Sequence, residues 1–247
     1  MKNVIITGAT KGLGLACTQS YLSKGFKVFC SGRDKKFINK LINKYPKQII
    51  FIDSDISSPE GIKSFTDKIK SKIKKIDIII HCLGGGLGLK DPLIEYYDFQ
   101  KLFNINIGIA AELNRVLVKL MKKESYIVLI GSTASIEAVG SVGYNTIKYS
   151  IVSYVKSLAL NLISKKIYVS ALLPGAFEGN GNAFNRLKLK NLEAYKDFIN
   201  SKLITKKIAK ANDFIPFINL LTSKHGQMLT GSSISMDNLE TKSYHYE

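Results

Sequence analysis

The stretch VIITGATKGLG, Val4 to Gly14, decides how the rest of this 247-residue chain is read. Val4 to Thr7 are β-branched throughout, as suits a short buried strand. Gly8, Gly12 and Gly14 follow in a tight turn, and a helical pattern then runs to about Ser23, closed by Gly25. Glycines between a strand and a helix let the backbone turn sharply, approach an anion closely and pack helix against strand. The free N–H groups and the positive end of the helix dipole then attract a pyrophosphate. The stretch therefore predicts a dinucleotide site with Gly8, Thr10, Lys11, Gly12, Leu13 and Gly14 as contacts.

Further along, strands and helices alternate. Strands are expected at Lys27–Ser31, Gln48–Ile52, Ile76–Cys82, Tyr126–Ile130, Ile167–Leu173 and Ser233–Met236. Helices are expected from Asp34 to about Lys44, from Ser58 with Pro59 at its first position, from Tyr97 to Lys122, and from Tyr144 to Ala159. An irregular loop from Pro174 to Leu187 precedes two more helices, Lys188–Ser201 and Thr205–Thr222. This alternation predicts a doubly wound α/β fold, a parallel sheet of about seven strands with helices on both faces, in one domain spanning 1–247.

The residues after the second strand set the cofactor preference. An acid there would accept the ribose 2′-OH and repel a 2′-phosphate. The chain has Ser31-Gly32-Arg33, and Arg33 with Lys11 favours NADP(H); Asp34 reads better as a helix cap. Asp55, past the third strand, could accept from the adenine amino group, with Asp53 as its competitor.

In the segment SYIVLIGSTASIEAVGSVGYNTIKYSIVSYVKSLA, Ser125 to Ala159, Ser132 sits at a strand end and Tyr144 and Lys148 share one face of the following helix. Such a set can protonate a carbonyl oxygen. The chain has twelve Tyr and many Lys, so the spacing alone decides nothing: Tyr97 and Lys101 share it. Context separates them, because the position matching Ser132 upstream of Tyr97 is Gly85.

The net charge of +17 raises the question of a polyanion partner, but only three of the 36 basic residues are Arg, and the Lys are dispersed. No nucleic acid is expected. No apolar run reaches the ~18–20 residues needed to cross a bilayer, and the N-terminus runs directly into a strand, so no membrane span or secretion is expected and the chain reads as cytoplasmic. Cys17, Cys30 and Cys82 lack disulfide or zinc spacing and read as small buried side chains, so no metal is expected.

Taken in order, these motifs resemble the short-chain dehydrogenase/reductase family, a Rossmann-fold group, over nearly the whole chain. TGATKGLG resembles its cofactor loop and Asp55-Ile56 its adenine contact. Asn106 matches its helix Asn, and Ser132, Tyr144 and Lys148 match its catalytic residues. Pro174-Gly175 and the Thr230-Gly231…Asp237 segment match its later motifs. The resemblance implies hydride transfer between NADP(H) and a small carbonyl or alcohol substrate. Tyr144 would be the proton donor, Lys148 would lower its pKa and hold the nicotinamide ribose, Ser132 would orient the carbonyl, and Asn106 would hold a water leading to Lys148. It also implies a homodimer or homotetramer built through apolar positions such as Leu113, Leu117, Leu120, Ile151, Val155 and Leu158.

There are three departures from the family pattern. His81-Cys82-Leu83-Gly84 stands where the family has NNAG, leaving Gly84 as the cofactor contact and His81 as a candidate strand tie or catalytic group. No Thr follows Pro174-Gly175 to meet the nicotinamide; Glu178-Gly179-Asn180 is there instead. Asn238-Leu239 replaces a double glycine. The loops GGGLGLKDPL and PGAFEGNGNAF resemble members acting on sugar-derived substrates of surface-carbohydrate pathways. A 3-oxoacyl-thioester reductase is the alternative enzyme, and an NADP-sensing or scaffold protein the non-enzymatic one.

Overall fold

The computed structural model describes residues 1–32 and 38–242. Seven parallel strands form the central sheet: β1 (Asn3–Thr7), β2 (Lys27–Cys30), β3 (Ile49–Phe51), β4 (Ile76–His81), β5 (Met121–Ile130), β6 (Ile167–Pro174) and, last in the chain, β9 (Ser233–Met236). Their spatial order is β3-β2-β1-β4-β5-β6-β9. The helices are α1 (Gly12–Ser23), α2 (Ile38–Lys44), α3 (Pro59–Lys72), α4 (Tyr96–Phe103), α5 (Ile109–Leu117), α6 (Val142–Leu162), α7 (Ala183–Lys190), α8 (Leu192–Lys202) and α9 (Ile215–Leu221). A separate short ribbon pairs β7 (Phe177–Glu178) with β8 (Ala209–Lys210) in parallel.

Alternation along the strands builds a core on each face. Ile5, Ile79, Ile127 and Leu129 point to α3, α5 and α6. Val4, Ile6, Ile78, Ile80 and Val128 point to α1, α2 and α9. A sheet buried on both sides needs such unbroken apolar strands, and every residue of β4 is buried. Strand order reverses direction at β1, because β2 and β3 lie on one side and β4 and β5 on the other. A cleft opens there beyond the carboxyl ends of the strands, where this fold class places ligands.

The sequence signals for helix ends act as read. The Ser58 hydroxyl accepts the Gly61 N–H at 3.0 Å, Pro59 opens α3, and Ile62, Phe65, Ile69 and Ile73 face the core. Gly25 stands at φ +79° and donates to Leu22 O at 3.0 Å, closing α1.

Several expected boundaries move. The helix expected over Tyr97–Lys122 is broken by a wide turn at Asn104–Gly108 and gives way to β5 at Met121. Met121 pairs with Ile76 and so is drawn into the sheet. The loop expected over Pro174–Leu187 contains β7 and the start of α7, which Asn182 caps by accepting the Asn185 N–H at 2.9 Å. The helix expected over Thr205–Thr222 shrinks to a tight turn at Ala211–Phe214 and α9. Pro216 has no N–H to donate and belongs in a first turn. Leu113, Leu117, Ile151 and Val155, expected outward, are buried against the sheet. The exposed apolar residues of α6 are Val142, Tyr149 and Leu160.

Candidate active site

A cavity of about 920 Å³ lies over the β1/β4 switch point. Its floor is the glycine loop. Gly8 and Gly12 adopt φ +64° and +51°. A β-carbon on Gly14 would fall 2.2 Å from Gly8 O, and one on Gly32 2.4 Å from Thr10 Cγ2. Side chains are thus excluded where backbone meets backbone. α1 begins at Gly12 without a side-chain cap and without an acid in its first turn, so the positive helix end faces the cavity. The buried Ser31 hydroxyl has no hydrogen-bond partner among the described residues and lines the same cavity. A glycine cradle, an uncapped helix start and an orphaned hydroxyl fit a dinucleotide phosphate and ribose. Asp55 and Ile56 line the cavity too. Asp55 also accepts the Ser57 N–H and hydroxyl at 3.1 and 2.7 Å, so it closes a turn as well. Arg33, expected to set the preference for NADP(H), lies outside the described residues, as does Asp34.

The reacting end is built by β5 and α6. Ser132, in extended conformation after β5, accepts the Ala134 N–H at 3.2 Å, which fixes its side chain. Burial pushes the Tyr144 phenol up, and the nearby Ser132 hydroxyl draws it part of the way back. One turn on, Lys148 is 4% exposed. Its ammonium lies 5.6 Å from the Tyr144 ring centre and donates to Ile130 O at 3.3 Å. Burial lowers its pKa to about 8. Gly84 lies close by: a β-carbon there would meet Asn106 Oδ1 at 2.7 Å and Lys148 Nζ at 3.2 Å.

Asn106 sits in the wide turn between α4 and α5. Its amide donates to Leu102 O at 2.9 Å and to Gly85 O at 3.0 Å, and accepts from Gly85 N at 2.9 Å. The side chain therefore satisfies a carbonyl at the helix irregularity and clamps the glycine-rich loop beside Lys148.

His81 takes neither expected role. It is buried, and the Asn114 amide donates to the Tyr154 hydroxyl at 3.1 Å, leaving Asn114 Oδ1 to accept from His81 Nε2 at 2.9 Å. Nδ1 has no partner. Burial lowers the pKa to about 4 and keeps the ring neutral. The tie between the ends of β1 and β4 is instead Leu83 N–H to the Thr7 hydroxyl, 3.3 Å. Cys82, read as a core residue, lines the cavity.

A covering layer formed by β7, α7, α8 and the segment after β9 closes the site. The Asn180 carbonyl accepts the Gly12 N–H at 2.8 Å, bringing this layer onto the glycine loop. Glu178, in the region where a Thr was missing, turns away into the layer and accepts from Tyr195 at 2.8 Å and from Lys188 at 3.1 Å. Phe184 and Phe198, with ring centres 4.8 Å apart, line the cavity. Arg186 and Glu240 also line it.

Of the residues singled out from the sequence, Gly8, Thr10, Lys11, Gly12, Leu13 and Gly14 line this one cavity. So do Gly84, Ser132, Tyr144, Lys148, Pro174 and Gly175. Asn106 reaches it only through Gly84 and Gly85. Tyr97 is exposed and does not line it. Ser31, Phe184, Phe198 and Glu240 were missed. Nothing local marks them, although Ser31 at the strand tip was a readable clue.

The family model for the short chain dehydrogenases matches residues 2–189. Among curated relatives, the 3-oxoacyl-[acyl-carrier-protein] reductase of Buchnera aphidicola subsp. Baizongia pistaciae is 28% identical over 244 residues, covering 96% of each chain. The 7alpha-hydroxysteroid dehydrogenase of Bacteroides fragilis is 27% identical over 249 residues, covering 96% of this chain and 93% of its own. Among solved structures, L-sorbose reductase from Gluconobacter frateurii, complexed with NADPH and L-sorbose, superposes with a TM-score of 0.87 at 20% identity over 98% of this chain and 97% of its own. With a family model covering three quarters of its length and a seven-stranded doubly wound sheet, the chain belongs to the short-chain dehydrogenase family of oxidoreductases.

Proposed function

We propose that residues 1–247 act as one catalytic domain that interconverts a ketone and a secondary alcohol with NADP(H). The observation carrying this is that Ser132, Tyr144 and the buried Lys148, whose ammonium lies over the Tyr144 ring, line the same cavity as the glycine loop. Gly8 to Gly14 and Ser31 hold the cofactor's phosphate and ribose, and Lys11 and Arg33 provide the cations for a 2′-phosphate. When bound, the reduced nicotinamide supplies a hydride to the carbonyl carbon.

The protein's own groups handle the proton. Ser132 donates a hydrogen bond to the substrate oxygen and orients it, and Tyr144 gives that oxygen its proton. An ordinary phenol with pKa ~10 exchanges protons slowly at neutral pH, and burial raises Tyr144 further. The positive charge of Lys148 works against that by favouring phenolate. Asn106 is a positioning residue, holding Gly84 and Gly85 against the Lys148 ammonium.

For the substrate we favour a polar, sugar-derived ketone. Glu240, beside Gly175 and Ala176 just past β6, and the Asn-rich loop 180–185 support that reading. Phe177, Phe184 and Phe198 favour the second reading, a 3-oxoacyl thioester, as does the named reaction of the Buchnera relative. A cytoplasmic homo-oligomer, assembled through exposed apolar residues of α4 and α6 such as Phe103, Tyr149 and Leu160, fits either.

An NADPH-oxidation screen over ketoses, nucleotide-linked keto-sugars and oxoacyl thioesters tests the substrate reading; turnover of thioesters alone would select the second. Titration with both cofactors tests the first. NADPH is expected to bind at least about tenfold tighter than NADH, a gap that Arg33→Ala narrows. Preference for NADH, unmoved by that substitution, would reverse the assignment.

A further inference from the structure

Glu240 lines the cavity beside Gly175 and Ala176, just past β6, and belongs to residues 237–242, a segment without helix or strand. The two residues ahead of it, Asn238 and Leu239, stand at φ +60° and +63°. Asn tolerates that region, but Leu is strained in it, and such a conformation persists only where the surroundings over-determine it. The surroundings do so here. Glu240 N donates to Asp237 O at 3.1 Å, Thr241 N to Asp237 Oδ2 at 2.9 Å, and Lys242 N to Glu137 Oε2 at 3.1 Å. The Glu240 carboxylate accepts the Ala176 N–H at 2.5 Å. Across from it, a β-carbon on Gly175 would lie 2.4 Å from Glu240 Oε2, so that glycine makes room for the carboxylate.

A strained turn, a facing glycine and three backbone anchors thus place one carboxylate in the cavity that Ser132 and Tyr144 also line. Among the described residues the other acid lining the cavity is Asp55, past β3. An ionised carboxylate only accepts hydrogen bonds. It suits a hydroxyl-bearing ligand, and it penalises an acyl chain that would strip its water without offering a donor. We propose that Glu240 is the specificity-determining residue of the site, accepting a hydrogen bond from a hydroxyl of a polyhydroxylated carbonyl substrate and disfavouring an acyl chain in that position. This rests on the sugar-derived reading above.

The test compares the full-length wild type with Glu240→Gln, using NADPH oxidation with L-sorbose and with acetoacetyl-coenzyme A as probes. Glutamine keeps the shape and the acceptor for Ala176 N–H and loses the charge. The KM for sorbose should rise about tenfold with a smaller change in kcat, as expected for a lost charge-assisted hydrogen bond. The KM for the thioester should hold or fall. Leu239→Gly is the second variant: it relieves the turn, raises the melting temperature, and lifts the KM for sorbose by freeing the strap. Wild-type turnover of sorbose with an unchanged ratio of the two KM values in Glu240→Gln overturns this proposal alone. A parallel rise for both probes also overturns it, since it marks a merely structural strap. A wild type that turns over only the thioester, or neither probe, overturns the substrate reading and this proposal with it.

Discussion

The floor of the cavity, residues 4–32 and 76–88, and its cover, residues 174–242, enclose one volume and are held by different forces. In the floor the chief limits are steric. Gly14 leaves no room for a β-carbon beside Gly8 O, Gly32 none beside Thr10, and Gly84 none beside Asn106. In the cover the limits are polar and reach far along the chain. Ala176 N–H meets Glu240 across 64 residues and Lys242 N–H meets Glu137 across 105. Glu178 gathers Asn185, Lys188 and Tyr195. A floor of this kind fixes one cofactor pose. A cover held by side chains can be rewritten for another substrate without disturbing that pose.

Replacing Gly14 by Ala attacks the floor. The added methyl group collides with backbone rather than with a movable side chain, so the expected cost is about 1–3 kcal/mol or more in chemical denaturation, with loss of NADPH binding. A variant of unchanged stability and cofactor affinity would mean that the floor is not sterically fixed.

Acid separates floor from cover through His81, which stands under the floor. Its folded pKa of about 4 lies below the ~6.5 of an unfolded chain, so the unfolded state takes up the proton first. The His81 contribution to stability should be level above about pH 7 and be lost as pH falls from about 6.5 to 4, by up to roughly 3 kcal/mol. His81→Gln should remove that limb whatever it does to the baseline. An identical acid limb in the variant would place the titration elsewhere.

The smallest expected effect belongs to the cover. Glu178→Gln removes the charge opposite the exposed Lys188 but keeps an oxygen to accept from the buried Tyr195 hydroxyl, and should cost under about 1 kcal/mol. It should raise the substrate KM a few-fold while cofactor affinity holds. Loss of cofactor binding in step with the substrate would make the cover part of the floor.

The same contrast explains what could be read from the sequence. Gly8, Gly12, Gly14, Ser132, Tyr144 and Lys148 are legible because their spacing is local and each obeys a backbone rule. Leu113, Leu117, Ile151 and Val155 were misassigned to the surface because a helical stripe does not say which side faces the sheet. Met121 was placed in a helix because its pairing with Ile76 spans 45 residues. Glu240 was invisible because its importance lies in a turn at Asn238–Leu239 and a facing Gly175 more than sixty residues earlier. The missing double glycine pointed at the right place: the left-handed backbone is kept even though glycine is not.

The central claim is that Tyr144, set by Ser132 and Lys148, protonates a carbonyl oxygen over a bound NADPH. Its most direct test is Tyr144→Phe, measured in parallel for NADPH affinity by fluorescence titration and for turnover with whichever carbonyl substrate the wild type accepts. The expected result is a kcat lower by about 10²- to 10⁴-fold with NADPH affinity within about twofold. Turnover retained near the wild-type rate would contradict the claim.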